Sequence, residues 1–344
     1  MNNPLRWGIL GTGNIAGQFA AGVKSARRSV IVAAGSRTLA TAQHFAAQAH
    51  IPRAYGSYDA LLADPDLDVV YNSLPNSLHH EWTIKALRAG KHVLCEKPFA
   101  MDQRQAVEMF DAARASKRLL VEAFMYRSHP LMHAVLDTLR SGAIGELRLI
   151  RTSFCYRTMR ISGNVRFAPD LGGGALMDVG CYCIDFSRLI AGADPTSVHA
   201  TARKHATGVD DVVAGSMCFP GGVLASFACG MSVQADNTAY VCGTEGYIEI
   251  PVPWKPPVSG ALYTIARGTP PRQDKPAPAK VPPRETRTVD AGMELYGLEA
   301  DDFAAAVAGD KPPAVSEPDT LGNMAVLDQI RRQIEPQMNA DRRR

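Results

Sequence analysis

The sequence predicts an α/β protein, with an N-terminal doubly wound Rossmann domain over residues 1–124 and an α+β domain with an open, mostly antiparallel sheet over 125–344. Three observations lead there. Up to about residue 125, short apolar runs alternate with amphipathic ones, the strand-helix alternation of a parallel sheet. A glycine-rich turn closes the first apolar run and opens the first amphipathic one. Beyond that region the pattern shifts to β-rich segments joined by short turns, as antiparallel pairing requires.

In the first region Leu5 to Leu10, Val30 to Ala34, Val69 to Asn72, His92 to Cys95 and Leu119 to Glu122 read as strands. Ile15 to Ala26, Leu39 to Ala49, Tyr58 to Ala63, His80 to Ala89 and Gln103 to Ser116 read as helices, with Gly90 where a C-cap belongs. In the second region a helix over Pro130 to Ser141 precedes strands at Leu147 to Tyr156, Ser197 to Lys204, Asp211 to Phe219, Gly222 to Met231, Asn237 to Cys242 and Tyr247 to Ile250. A helix over Ala175 to Leu189 interrupts them. The proline-rich residues 251–287 predict a long surface excursion with a short strand near Ala261 to Arg267, and helices at Leu295 to Ala308 and Thr320 to Ile334 close the chain.

With 344 residues, 46% of them hydrophobic and 21% charged, the chain can fill two cores. The net charge of +3 is scattered except in Arg342, Arg343 and Arg344, a solvated tail, so no nucleic-acid partner is expected. Seven cysteines are an odd number, and the one close pair, Cys181 and Cys183, lacks the companions of a zinc site. No metal and a reducing cytoplasm follow as expectations. Met1 to Arg6 carries neither a basic lead-in nor a long apolar run, so neither a signal peptide nor a membrane span is expected.

Gly11-Thr12-Gly13-Asn14-Ile15-Ala16 is a G-x-G-x-x-A dinucleotide fingerprint. Its first glycine permits the tight turn, the second lets amides approach a pyrophosphate, and the small Ala16 lets helix pack on strand. About twenty residues on, where NAD enzymes place a ribose-binding carboxylate, stand Ser36 and Arg37, a pair suited to a 2′-phosphate; NADP is expected over NAD. Two further loops follow strands at the carboxyl edge, Ser73-Leu74-Pro75-Asn76 running on to His79, and Glu96-Lys97-Pro98. Both belong at the nicotinamide half of the cofactor, where Asn76 and His79 either touch a ligand or serve as ordinary loop and helix-start residues.

Pro98 restricts Lys97 and aims its ammonium at the cleft. Far downstream, Gly172-Gly173-Gly174 leads into a helix on which Asp178, Tyr182 and Asp185 fall at i, i+4 and i+7, one helical face. The fingerprint at Gly11, the Pro75-Asn76 loop, Glu96-Lys97-Pro98 and the GGG-x-x-x-D-x-G-x-Y helix together resemble the Gfo/Idh/MocA oxidoreductases over nearly the whole chain. The resemblance implies that Lys97 sits by nicotinamide and substrate. That family commonly carries D-x-G-x-H with histidine as acid/base; Tyr182 in its place resembles the branch of glucose-fructose oxidoreductase, NADP-linked D-xylose 1-dehydrogenases and dimeric dihydrodiol dehydrogenases.

A base is needed for the hydroxyl proton while the hydride leaves a carbinol carbon, and an ammonium beside a phenol favours the phenolate. Tyr182 is therefore the expected acid/base, Lys97 its electrostatic partner, and Asp178 either a substrate-binding or a lysine-orienting group. Tyr126 and Arg127, on the crossing between the two regions, are weaker substrate candidates, with an interdomain ion pair or a packing role the other reading of Arg127. The expected function is an NADP(H)-dependent dehydrogenase or reductase acting on a sugar, such as xylose or glucose, or on a cyclic vicinal diol. The alternative is a non-catalytic NADP-binding sensor. An open sheet face in the second domain needs covering, which predicts a homodimer or homotetramer; without a membrane span in the sequence, no membrane partner is expected.

Overall fold

The computed structural model describes residues 4–268 and 283–340. The terminal arginine run and residues 269–282 of the proline-rich segment lie outside the described residues. The first region contains β1 (Leu5–Leu10), α1 (Asn14–Val23), β2 (Ser29–Gly35), α2 (Leu39–Ala49), β3 (Arg53–Tyr55), α3 (Tyr58–Leu62), β4 (Val69–Asn72), α4 (His79–Arg88), β5 (His92–Glu96), α5 (Gln103–Ser116) and β6 (Leu120–Ala123). The strands form one parallel sheet in the order β3-β2-β1-β4-β5-β6. The order reverses between β1 and β4, and that switch point is where a ligand crevice opens in a doubly wound sheet. Near-continuous apolar strands such as Val69–Asn72 are buried throughout, as two covered faces demand. The three-residue edge strand β3 has too little pattern to be read from sequence.

Local chemistry starts and stops the helices. Thr38, Ser57 and Asp102 accept from the amides of Thr41, Ala60 and Gln105 at the starts of α2, α3 and α5. His129 caps α6 (Pro130–Arg140), whose proline occupies the first turn.

The second region continues with β7 (Leu147–Cys155), α7 (Cys181–Ala191), β8 (Ser197–Lys204), β9 (Asp210–Cys218), β10 (Leu224–Gly230), β11 (Ala239–Gly243), β12 (Gly246–Ile250), β13 (Ala261–Arg267), β14 (Arg284–Val289), α8 (Leu295–Val307) and α9 (Glu317–Ala340). Eight strands run in the order β14-β13-β12-β11-β7-β10-β9-β8, antiparallel except for the β7–β10 pair. Helices α7 and α9 cover its inner face. On the other, Leu224, Ser216 and Thr201 are exposed. Strand β14 is charged and exposed along most of its length, an edge strand without apolar alternation, which hid it in the sequence.

Two expectations are corrected here. The proline-rich segment is not simply a surface excursion: Trp254 is only 2% exposed, because its indole stacks on Phe154 and its Nε1 donates to the Ser153 carbonyl at 2.8 Å. The helix over Ala175 to Leu189 is not uniform either. It opens with a π turn over Leu176–Gly180 and becomes α-helical at Cys181. Helix α8 crosses back to the first sheet, where Tyr296 packs against Gly22 of α1 and Phe303 lies 5.2 Å from Trp7.

Candidate active site

A cleft of about 1130 Å³ runs along the carboxyl edge of the first sheet and is roofed by residues of the second region. Its floor is backbone-rich. Gly11 has φ +94°, and its amide donates to the Gly35 carbonyl at 3.0 Å; a side chain there would press on Ser73 and Leu74 at 3.2 Å. Gly13 is the N-cap of α1, no side chain caps the leading amides, and a Cβ built on it meets nothing within 4 Å. Exposed amides facing open space at a helix start form the cradle a pyrophosphate requires, so these residues fit a dinucleotide. Ser36 is buried with its Oγ 3.4 Å from that of Thr12, while Arg37 is exposed at the cleft edge.

The two expected loops form the middle of the floor. Ser73 donates through both its amide and its hydroxyl to the Leu10 carbonyl, tying the β4 loop to the glycine turn. His79 is fully buried and bridges the carbonyls of Pro98, 2.9 Å from Nδ1, and Leu74, 2.8 Å from Nε2. It thus fastens the two loops to each other, and its ring is spent there. Asn76 donates to the Gly172 carbonyl at 2.8 Å, joining floor to roof. Leu74, Pro75, Asn14 and Ile15 also line the cleft.

Lys97, followed by a cis Pro98, reaches up to Asp178, its Nζ 2.8 Å from the backbone oxygen and 3.5 Å from Oδ1. Asp178 also accepts from Tyr156 Oη at 2.6 Å and pairs with Arg166 Nε at 2.9 Å. Oδ2 thus holds Tyr156 and Arg166 while Oδ1 faces Lys97, and Asp178 still lines the cleft. Burial pushes the Asp178 pKa up, but Lys97 and Arg166 more than offset it, and the carboxyl stays below its ordinary value. For Lys97, burial pulls down while Asp178, Cys181 and Glu96 hold the ammonium above its ordinary range. Behind it Glu96 accepts from Tyr71 and from the Lys97 amide.

Tyr182 lies 3% exposed in an aromatic nest of Phe124, Phe154 and Trp254, with Lys97 Nζ 5.1 Å from its ring centroid. Its hydroxyl points to Met125 Sδ at 3.2 Å. The two expected chemical groups therefore meet, but the ammonium rides on the ring face and does not touch the hydroxyl. The expectation that Lys97 lowers the phenol pKa is overturned. Burial first, then Glu96 and Tyr296, drive it well above the ordinary value.

The face expected to hold Asp178, Tyr182 and Asp185 splits. Asp178 and Tyr182 line the cleft, whereas Asp185 is 1% exposed inside the protein and accepts from Tyr126 and Arg127. Arg127 reaches on to Asp319 at 3.1 Å. Tyr126 and Arg127 are thus not brought to the cleft wall, because the buried Asp185 and the half-buried Asp319 claim them first; Arg127 is ion-paired, but within the second region and not between the two. Tyr156, Arg166, Phe154 and Lys255 are site residues the sequence did not single out.

Models of two known families match the chain: "Oxidoreductase family, NAD-binding Rossmann fold" over residues 5–124, and "GFO/IDH/MocA C-terminal domain" over 132–249. The chain belongs to the Gfo/Idh/MocA oxidoreductases. Like other members it is an NAD(P)-dependent oxidoreductase, built on the two sheets described. Mouse trans-1,2-dihydrobenzene-1,2-diol dehydrogenase is 40% identical over 282 residues, 77% of this chain and 84% of that protein. KijD10, a 3-ketoreductase from Actinomadura kijaniata solved with NADP and TDP-benzene, superposes with a TM-score of 0.85 at 31% identity, covering 96% of this chain and 98% of its own. An aldose-aldose oxidoreductase from Caulobacter crescentus superposes with a TM-score of 0.83 at 27% identity, covering 97% and 98%. No helix among the described residues is long and apolar enough to cross a membrane.

Proposed function

We propose that this Gfo/Idh/MocA protein is an NADP(H)-dependent oxidoreductase acting on a carbinol or carbonyl carbon of a cyclic vicinal diol or an aldose. Tyr182 is its acid/base, Lys97 the second group at the reacting oxygen, and Asp178 the residue that positions Lys97. The observation that carries this reading is the Lys97 ammonium over the Tyr182 ring at 5.1 Å, inside the cleft that continues from the glycine turn. When bound, the nicotinamide accepts or supplies the hydride. Lys97, held charged, donates a hydrogen bond to the substrate oxygen. Tyr182, a neutral phenol at physiological pH because its pKa is raised, is set up as the donor. In carbonyl reduction its proton goes to the oxygen that gains negative charge and leaves a phenolate beside the Lys97 ammonium; in oxidation it is that phenolate, formed by loss of the phenol proton, that takes the proton of the substrate hydroxyl.

The preference for NADP rests on the adenosine end. Glu96 and Asp178 are the acidic residues lining the cleft, both at the far end, while Ser36, Arg37, Thr38 and Thr41 line the near one. Phe154, backed by the buried Trp254 ring 5.6 Å away, gives the substrate end an aromatic wall suited to the apolar face of a six-membered ring. The relatives that act on a dihydrodiol or on aldoses support this class. All seven cysteines are unpaired, in keeping with a reducing cytoplasm. We place the nucleotide domain at 1–124 and the substrate and oligomer domain at 125–344. The outer face of the second sheet, with Leu224 50% exposed and Arg151 over the Tyr240 ring at 5.0 Å, is the proposed contact of a homodimer or homotetramer. Light scattering that gives a mass of 37.0 kDa alone would reject that assembly.

The functional test is NADP+ reduction with a panel of cyclic diols and aldoses, alongside Tyr182→Phe. Turnover by the wild type and a fall of about 100-fold or more in kcat for the variant, with KM little changed, are expected. Wild-type nucleotide binding without turnover on any of them, or a variant with intact kcat, overturns the reading and leaves the sensor alternative.

A further inference from the structure

The cleft holds one cation that neither the fingerprint nor the catalytic cluster uses. Lys255 lies on the proline-rich segment, yet its Nζ crosses the cleft to donate to Gln18 Oε1, 3.1 Å away on α1. Gln18 is one turn beyond Asn14 and lines the same cleft as the glycine turn. On its other side Lys255 feels Lys97 and Glu96. It therefore hangs between the start of α1 and the catalytic lysine. No carboxylate pairs with it among the described residues.

The backbone that carries it is stiff. Pro253 and Pro256 flank it and are buried. Trp254, the residue before it, is locked by the Phe154 stack and the bond to Ser153; two residues after it, the Pro257 carbonyl lies 3.2 Å from His129 Nε2. A long side chain with no acid partner, on a strap pinned at both sides and aimed across an open anion cradle, is preorganised for an anion that arrives with the ligand.

We propose that Lys255 is a cofactor-binding residue: a strap from the second domain whose ammonium takes a diphosphate oxygen of the dinucleotide, opposite the α1 amides, and so ties the two domains together over the bound cofactor. This rests on the dinucleotide reading of the cleft and goes beyond it, since the fingerprint assigns the diphosphate to the first domain alone. On this view Gln18 is a placeholder that releases Lys255 when the phosphates enter. Lys97 also benefits, because the diphosphate neutralises the second ammonium near it.

The experiment measures the Kd of NADP+ and NAD+ for the wild type, Lys255→Met and Lys255→Arg by titration of tryptophan fluorescence at several salt concentrations, with the melting temperature of each protein without nucleotide. Lys255→Met is expected to raise the Kd of both nucleotides about tenfold and to weaken its salt dependence, while Lys255→Arg keeps most of the affinity. Equal loss for NADP+ and NAD+ marks the diphosphate, which both share, and not the 2′-phosphate. A Kd for Lys255→Met within twofold of wild type overturns the proposal, as does a drop in melting temperature with nucleotide affinity intact, which makes the Gln18 bond a mere domain tie. A diphosphate carried by a substrate presents the same oxygens, so UDP-glucose is the second probe; weaker UDP-glucose binding with NADP+ affinity unchanged also overturns it. Failure of the wild type to bind either nucleotide sinks the cofactor reading itself, a different outcome from failure of the variant.

Discussion

The floor and the roof of the cleft are built on opposite principles. The floor is made of backbone: the Gly11 turn, the β4 loop and the Lys97-Pro98 corner, cross-tied by Ser73 and by the buried ring of His79. The roof is made of side chains from well-separated stretches of chain: Tyr156 after β7, Arg166 in the following loop, Asp178 on the π turn, and Lys255 on the proline-rich strap. A backbone site needs local conformations, which glycines and prolines write into adjacent residues. A side-chain site needs tertiary contacts, which leave no local trace. The same contrast makes the roof the more fragile part, since one carboxylate, Asp178, serves three partners.

The largest effect should come from that carboxylate. Asp178→Asn keeps shape but removes the charge that holds Lys97 and Arg166. Its expected result is a loss of about 100-fold in kcat/KM with NADP+ affinity changed by less than about threefold, because the floor binds the nucleotide without it. The pH profile separates positioning from plain damage: without Asp178 the Lys97 pKa loses the first of the influences that raise it, so activity on the basic side should fall at lower pH than in the wild type. If turnover and nucleotide affinity fall by the same factor, floor and roof are not separable in this way.

The same contrast sets what the sequence shows. All but the three-residue β3 of the first sheet is visible as apolar runs, and Gly11, Gly13 and Lys97 are legible because turn chemistry is local. Tyr182 and Asp178 are legible because a glycine-rich start marks their helix. Asp185 shares their helical spacing and still belongs to the core, where Tyr126 and Arg127 bind its carboxylate. Nothing in the sequence around Tyr126 and Arg127 tells that Asp185 and Asp319 will bind them inside. Trp254 is hidden in a proline-rich stretch whose composition reads as surface. Burial likewise reverses the expected effect on the Tyr182 phenol, a quantity set by what surrounds the ring on all sides.

A smaller effect tests how firmly the floor is seated. Glu122, at the end of β6, accepts from the Phe99 amide at 3.1 Å and so supports the corner that carries Lys97, while its Oε2 is buried without a partner. Burial, with Asp185 next, pushes its pKa from 4.5 up to about 8. A carboxyl raised in the folded state binds a proton that the unfolded chain has released, so its contribution is full below pH 4.5 and is lost as the pH rises towards about 8. Glu122→Gln keeps the bond to Phe99 without the ionisation. Chemical denaturation across that range should show a flatter pH dependence for the variant, with a gain of about 2 kcal/mol over wild type at the alkaline end. Parallel profiles for the two proteins would mean that Glu122 does not carry the titration.

The smallest effect belongs to a floor side chain at the opposite end of the cleft from Lys97, that of Arg37. Arg37 is exposed at the end of the cleft and pairs with no carboxylate among the described residues, whereas Lys97 and Arg166 at the other end share Asp178. Its charge is therefore free for a phosphate on the adenosine ribose, and water weakens that bond as it weakens any exposed ion contact. Arg37→Ala should lower kcat/KM for NADP+ about tenfold and leave NAD+ turnover nearly unchanged, because NAD+ has nothing for the guanidinium to hold. The contrast with Lys255 sharpens the point: loss of that strap should weaken both nucleotides alike, so the two variants distinguish a residue that selects the cofactor from one that retains it. Equal losses for NADP+ and NAD+ in Arg37→Ala would remove the 2′-phosphate assignment, since a contact to atoms both nucleotides possess cannot choose between them.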